Sequence, residues 1–404
     1  MERNISFERA RQLLLECVRP VGGETVPLSL CGGRVLAQDL AARENVPLFD
    51  RSPYDGFALR GEDTQGAAPE HPVTLTILEE VPAGAVPART VEPGTAAKVF
   101  TGTQIPRGAN GVVKFEDTSF DADHVTLRRP VKPGSNLIRA GEDIRQGELL
   151  ARQGTVIDPG LAGTLAAQGI AAPVVFQKPR VGILSTGSEL VEAEDTPGPG
   201  KIRNSNRAML EAALTALGCQ PVYLGIAGDR KEEIAEGIRT GLDTCDALVT
   251  TGGVSVGDYD VTPEAMEAAG AALLFRGVDM KPGMACAYGV REGKPVCGLS
   301  GNPASALTNF SAIALPALRR LAGHRAPIPR TILVTLREGF GKKSPKTRFL
   351  RGKLVLEEGR VYMDLSAEQG NVVLSSAIGC DVMALIPAGS GPVPAGTVLE
   401  GFYL

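Results

Sequence analysis

The sequence predicts a multidomain α/β plus β protein. Its centre is a mostly parallel α/β domain with helices on both faces, a β-rich domain is inserted before it, and a small β-barrel or sandwich follows it. Three observations carry this prediction. Between residues 178 and 323, short apolar runs alternate with helix signals, the pattern of a parallel sheet covered by helices. From about 46 to 140 the text is short β-rich runs cut by Pro and Gly, such as Val73–Leu78 and Ala97–Phe100. A Pro-rich link, Ala326-Pro327-Ile328-Pro329, then separates a β-rich tail over 331–404. At 404 residues the chain exceeds one ordinary core, so several domains are expected.

The elements follow in order. Residues 6–19 read as an amphipathic helix, with Ser6 as N-cap and Phe7, Ala10, Leu14, Cys17 and Val18 on one face. Residues 158–170 read as a short helix, with Asp158 as cap, Pro159 in the first turn and Gly169 at the end. Val181–Leu184, Val222–Gly225, Ala247–Thr250 and Leu273–Phe275 read as buried strands. Helices start near Ser205, Asp229 and Thr262. Asp229 with Glu232 resembles a capping box, Asp standing in the Ser/Thr role. Asn302-Pro303 opens a longer helix that ends near Gly323.

Composition limits the function. The formal net charge is −4 and no long block of like charge occurs, which speaks against non-specific nucleic-acid binding. No apolar run approaches the roughly 20 residues that span a bilayer, so no membrane association is expected. Seven cysteines, scattered and odd in number, fit reduced thiols in a cytoplasmic protein. The three histidines are isolated, which disfavours a His/Cys zinc site and leaves a hard, oxygen-bound ion as the expected metal.

Four polar loops follow apolar runs in the 178–323 domain. They are Ser185–Glu189, Ala227–Asp229, Thr251–Asp260 and Ser300–Pro303. In an open parallel sheet such loops line one crevice at the carboxyl ends of the strands. Each also opens or approaches a helix N-terminus, where the dipole favours anions. The third loop, with Gly252, Gly253 and Ser255, lets backbone N–H groups approach a phosphate. Its carboxylates Asp258 and Asp260 cannot bind phosphate directly and suggest a metal between anion and protein. Glu189 and Asp229 belong to the same set, although Asp229 is equally readable as a helix cap. Lys281, before Pro282-Gly283, can neutralise an oxyanion. Outside this domain, Asp50–Phe57 and Lys98–Thr103 are dense polar turns that on physics alone are ordinary.

These residues together resemble the molybdopterin molybdenumtransferases, the group of bacterial MoeA and the gephyrin E domain. The matching pieces are Ser52–Ala58, Phe100–Gly102, Arg139–Ile144, Ser185–Leu190, Thr251–Asp260, Lys281–Gly283 and Gly301–Pro303, in the family's order. The resemblance implies a discontinuous dimerisation domain (1–45 and 141–177), an inserted β-rich domain (46–140), a MogA-like α/β domain (178–326) and a C-terminal β-barrel (327–404). It implies a homodimer whose cleft is shared, so that Asp55 and Thr101 of one subunit approach the glycine loop of the other. The implied transferase reaction inserts molybdate into adenylylated molybdopterin with release of AMP, assisted by Mg2+.

In that reaction Asp229, Asp258 and Asp260 would position the ion, and Lys281 would meet the oxyanion. Asn302, Pro303, Arg351 (or Arg348) and Ser375 (or Ser376) would contribute to substrate binding. A MogA-type adenylyltransferase and molybdoenzyme maturation factors are the implied partners. The chain departs from the family at Lys281-Pro282-Gly283-Met284-Ala285, where Lys-Pro-Gly-Lys-Pro is usual, and at Ser300, where proline is usual. A lysine common just before Lys281 is replaced at best by Arg276. The alternative implied is a paralogue that binds the pterin nucleotide as a scaffold, or one that takes tungstate.

Overall fold

The computed structural model describes residues 1–255, 261–366 and 368–404. Asp258 and Asp260 lie outside the described residues. The chain divides into two compact units. One comprises Met1–Gln38, Gln153–Ala162 and Ala172–Leu404; the other comprises Asp39–Arg152 and Gly163–Ala171.

In the first unit, a seven-stranded sheet runs in the order Glu2–Ile5, Ala272–Val278, Cys286–Arg291, Lys294–Leu299, Ala247–Thr251, Arg180–Thr186, Gln220–Ala227. Only Cys286–Arg291 runs against its neighbours. Strand alternation sends Ile183 and Val249 to one face, and Leu184 and Leu248 to the other. Leu14, Leu210 and Leu318 cover the first face, and Ile234, Ile238 and Met266 the second. Helices therefore lie on both faces, as the alternation predicts.

The details differ from the sequence expectations in three places. The hairpin Cys286–Arg291/Lys294–Leu299 had no strong signal in the text. Its turn, Glu292-Gly293, places both residues at positive φ (54° and 79°), the geometry that two-residue hairpins favour. Gln220–Ala227 is the sheet's last strand, so Val222–Gly225 is half-buried rather than buried. By sequence, residues 1–45 group with 141–177. In the structure residues 2–17 instead extend the central domain: Glu2–Ile5 pairs parallel with Ala272–Val278, and Phe7, Ala10 and Leu14 enter its core. The helix Phe7–Cys17 starts where Ser6 Oγ accepts the Arg9 amide at 3.2 Å. The remainder of that N-terminal stretch does meet the later segment, with Gly23–Thr25 antiparallel to Val174–Phe176.

The helix opened by Pro303 continues through a π-helical stretch, Phe310–Ala314, into Leu315–Leu321. Pro316 has no N–H for the carbonyl of Ala312, four residues back. Arg11 Nε donates to that carbonyl at 3.0 Å instead.

The C-terminal strands Thr347–Glu357, Arg360–Leu365, Thr331–Leu336, Val398–Tyr403 and Val382–Ile386 close into a five-stranded barrel. Closure leaves no free edge in that ring. Val334, Leu336, Leu350 and Met363 fill its interior. Phe349 and Phe402 instead join the core of the α/β domain, and Phe349 meets Phe7 edge-on at 5.2 Å.

The second unit holds a six-stranded sheet in the order Gly111–Lys114, Gly56–Leu59, Thr95–Val99, Val73–Val81, His124–Leu127, Thr118–Phe120. Phe57, Leu59, Leu75 and Val125 form its core. Gly56 is required there, because a Cβ would collide with the backbone carbonyl of Val113. Among the described residues, no helix is long and apolar enough to cross a membrane.

Candidate functional site

Four parallel strands end together at Thr186, Ala227, Thr251 and Leu299, and the loops that follow them surround one cavity of about 360 Å³. Glu189, Asp229, Gly252, Gly253, Ser255 and Asn302 all line it. The glycines are demanded by geometry. Gly252 has φ +102°, and a Cβ there would lie 2.5 Å from Thr186 Oγ1 and closer still to the Thr186 carbonyl. Gly253 has φ +63°, and its Cβ would lie 2.5 Å from Thr262 Oγ1. Thr262 donates to the Gly252 carbonyl at 3.0 Å, and Thr186 donates to the Thr251 carbonyl at 3.1 Å. The loop is thus pinned by hydroxyls from two sides.

Asp229 does not cap a helix. The helix begins at Lys231 after Arg230, and Asp229 accepts the Ser188 amide at 3.2 Å. Glu233 reaches back to the Gly228 amide at 3.0 Å, which takes the role the capping box gave to Glu232. Asp229 therefore ties the second polar loop to the first and presents a carboxylate to the cavity wall. Asn302 stands at the N-cap position of the helix Pro303–Asn309, and Pro303 occupies its first turn.

A second cavity of about 450 Å³ adjoins the first and shares Ser255, Ser300 and Asn302 with it. Lys281 lines it, on the short strand Met280–Lys281 that pairs with Thr347–Arg348 of the barrel. Met284 and Lys346 line it too. Lys346 Nζ lies 2.8 Å from Asp279 Oδ1 and 3.1 Å from Met284 Sδ. An ammonium from the barrel therefore reaches residue 284, where the usual family pattern has a lysine. Nothing local in the sequence links positions 62 residues apart. Arg276 is committed elsewhere, donating to the Ser255 carbonyl at 2.8 Å and reaching Glu264 at 3.5 Å.

Arg351, Arg348 and Ser375, in the same unit, are not among the residues that line these cavities. Arg351 is fully buried. Its guanidinium donates to Ser376 Oγ (3.0 Å), the Gly370 carbonyl (3.3 Å) and Thr308 Oγ1 (3.5 Å), so it joins barrel to helix. Burial lowers its pKa. Arg348 is buried as well and donates to Ser344 Oγ at 2.9 Å. Ser375 is exposed on the short turn Leu374–Ala377. In the second unit, Asp55 Oδ1 accepts the Thr101 amide at 2.7 Å and the Thr101 hydroxyl at 2.9 Å. These two bonds, the amide first, hold the exposed Asp55 carboxyl below its usual value.

Two further features were not legible as site residues. Asn206 lines the first cavity and is buried. Behind the 185–189 loop, the Tyr223 hydroxyl donates to Glu192 at 2.6 Å and Arg207 pairs with Glu192 at 2.9 Å. Arg207 also lies over the Tyr223 ring at 3.9 Å, and Asn204 Nδ2 donates to Ser185 Oγ at 2.8 Å. The hydrogen bond from Tyr223 lowers the pKa of Glu192, while burial raises that of Tyr223. Among the described residues, no group of three His, Cys, Asp or Glu side chains is placed to hold a metal ion.

The chain is 36% identical over 368 residues to a Staphylococcus epidermidis molybdopterin molybdenumtransferase, covering 91% of this chain and 88% of the relative. A Staphylococcus aureus protein of the same name is 37% identical over 381 residues, covering 93% and 90%. The chain belongs to the molybdopterin molybdenumtransferase family. Family models agree along its length. The MoeA N-terminal region (domain I and II) matches residues 5–169, the "Probable molybdopterin binding domain" 182–320, and the MoeA C-terminal region (domain IV) 334–401. The molybdopterin biosynthesis MoeA protein of Pyrococcus horikoshii superposes with a TM-score of 0.86 at 31% identity, covering 99% of each chain. In this family member, the binding-domain match spans all four polar loops.

Proposed function

We propose that the protein inserts molybdate into adenylylated molybdopterin and releases AMP, as a step of molybdenum cofactor biosynthesis. One observation carries this beyond the family name: a glycine-lined crevice continues into a cavity that holds two ammonium groups, Lys281 and Lys346. The crevice suits a phosphate-bearing heterocycle, because glycine backbone and a helix N-terminus face it. The adjoining cavity suits a small tetrahedral dianion, which needs cations and hydroxyls. Lys346 offsets the loss of the usual lysine at Met284. The walls shared at Ser255 and Asn302 support this reading, because insertion requires the two substrates to lie side by side.

The donor set fits a hard divalent cation, since Glu189 and Asp229 offer carboxylate oxygens and, among the described residues, no Cys or His lines the crevice. Asp229, with Asp258 and Asp260, would hold Mg2+. The ion, when bound, supplies polarisation of the phosphoanhydride-type bond. The chain's own groups bind and orient. Asp229 fixes the 188 amide, the Gly252–Gly253 turn receives phosphate, and Lys281 and Lys346 collect the oxyanion. The protein acts in the cytoplasm as a homodimer, and Asp55 and Thr101 of a second copy complete the crevice. A MogA-type adenylyltransferase supplies the substrate, and molybdoenzymes or their maturation factors receive the product.

Purified protein given adenylylated molybdopterin, magnesium and molybdate should release AMP in proportion to molybdenum bound. No AMP from well-folded protein with either molybdate or tungstate would refute the reaction. Turnover with tungstate alone would favour the oxyanion-altered reading that the exposed Met284 motivates.

A further inference from the structure

Asn206 sits in the first turn of the helix Ser205–Ala216, is 7% exposed, and lines the glycine crevice. Its Nδ2 donates to the Gly301 carbonyl at 2.9 Å. Its Oδ1 is buried and, among the described residues, has no hydrogen-bond partner. The orientation of the amide follows from that contact, because the flipped form would set its oxygen against the Gly301 oxygen. A buried acceptor left unpaired is costly, and sites keep one where a ligand brings the donor.

The surroundings say what kind of donor. Glu189 and Asp229 line the same cavity and, ionised, only accept hydrogen bonds. Among the described residues, no lysine or arginine lines it. A phosphate against Asn206 Oδ1 would set oxygen against oxygen, so the part of the ligand that meets this atom is not the phosphate. The ligand must turn N–H groups towards Asn206. Two heterocycles in the proposed substrate carry such groups, the adenine and the pterin. Adenine offers an amino group flanked by acceptors. The aminopyrimidinone edge of a pterin offers an amino group beside a ring N–H, a contiguous donor pair that matches a wall made of acceptors.

We infer that Asn206 Oδ1 is a substrate-reading acceptor that selects the aminopyrimidinone edge of the pterin. The inference rests on the proposed reaction, because that reaction is what brings a pterin to the crevice. Asn206 touches substrate through an atom that no described protein group uses, while its other atom steadies the 300–303 loop.

The test is calorimetry with pterin-6-carboxylate and, separately, AMP, on the wild type and on Asn206→Leu. The variant should bind the pterin about 10-fold more weakly, the loss of one good neutral hydrogen bond, and AMP within about twofold. A second measurement needs no variant. The wild type should discriminate by about 10-fold against a pterin methylated at N3 and twice at the 2-amino group, which has lost every donor of that edge. Asn206→Leu should discriminate less, because one acceptor of that wall is gone while Glu189 and Asp229 remain. Equal binding of the two pterins by the wild type overturns the inference. So does a parallel loss of pterin and AMP in the variant, which marks Asn206 as a loop tether only. Weakened AMP with unchanged pterin overturns it too, because the adenine is then what Asn206 reads. A wild type that binds no pterin sinks the proposed reaction itself, and this inference with it.

Discussion

Replacing Gly252 by alanine tests the glycine loop most directly. At φ +102° a side chain is strained whatever the space, which costs about 1–3 kcal/mol. The new Cβ would also press on the Thr186 carbonyl and lie 2.5 Å from Thr186 Oγ1. Backbone cannot yield as a flexible side-chain tip can, so overpacking adds about 1–3 kcal/mol. The expected total is about 2–6 kcal/mol. Gly200→Ala separates the two contributions, since Gly200 has φ +76° and nothing within 4 Å of its Cβ position. That control should lose only the conformational part. Urea denaturation followed by circular dichroism measures both. The surviving folded Gly252→Ala protein should also bind AMP more weakly, because the loop must shift to admit the methyl. Equal losses for the two variants would refute the close approach of the loop to Thr186.

Other outcomes follow from groups already described. Lys346→Met should raise the half-saturating molybdate concentration for AMP release by about 10-fold, and adding Met284→Lys should recover part of it; an unchanged molybdate dependence removes Lys346 from the oxyanion cavity. Cys219 and Cys286 are pushed up to about 12 by burial, and Cys297 is raised further. Of the seven thiols, only the half-buried Cys17 and Cys380 should react promptly with a disulfide reagent before unfolding, and prompt labelling of Cys286 would contradict its placement. His324 is held below its ordinary 6.5 by burial and then by Arg319, so it folds neutral. Its contribution to stability should be complete above 6.5 and be lost as pH falls from there through the lower folded value; His324→Gln should flatten that part of the stability–pH curve. Arg11→Leu leaves the Ala312 carbonyl without its donor and should cost about 1–3 kcal/mol in chemical denaturation.

The placement of the crevice was legible because it depends on local rules. Apolar runs ending in Gly, Ser, Thr and Asp marked strand ends, and parallel order follows from helices between strands. What escaped depends on contacts distant in sequence. Asn206 is an ordinary asparagine in a helix start until Gly301, 95 residues later, takes its Nδ2. Lys346 reads as one of several barrel lysines until the barrel pairs with Met280–Lys281. Arg351 was named for substrate binding through the family resemblance alone, and its burial is not visible in the text. The assignment of Asp229 to a cap failed by one residue, the distance at which a turn hands its acceptor to a neighbouring loop. The edge position of Gln220–Ala227 was hidden for a related reason: an edge strand and a central one can carry the same apolar letters.

The parallel pairing of Glu2–Ile5 with Ala272–Val278 sets an order of events during synthesis. The strand Glu2–Ile5 has no partner until about 270 residues more have been added. Phe7, Ala10 and Leu14 stay uncovered over the same interval, since much of the face they join is built from residues beyond 275. The second unit, by contrast, has all its strands by residue 152. Translation therefore delivers the inserted domain early, whereas the crevice can be assembled only once the helix at Pro303 has found the sheet. A ribosome stalled before residue 272 should display residues 2–17 open to proteases and chaperones, while one stalled well after residue 325 should not.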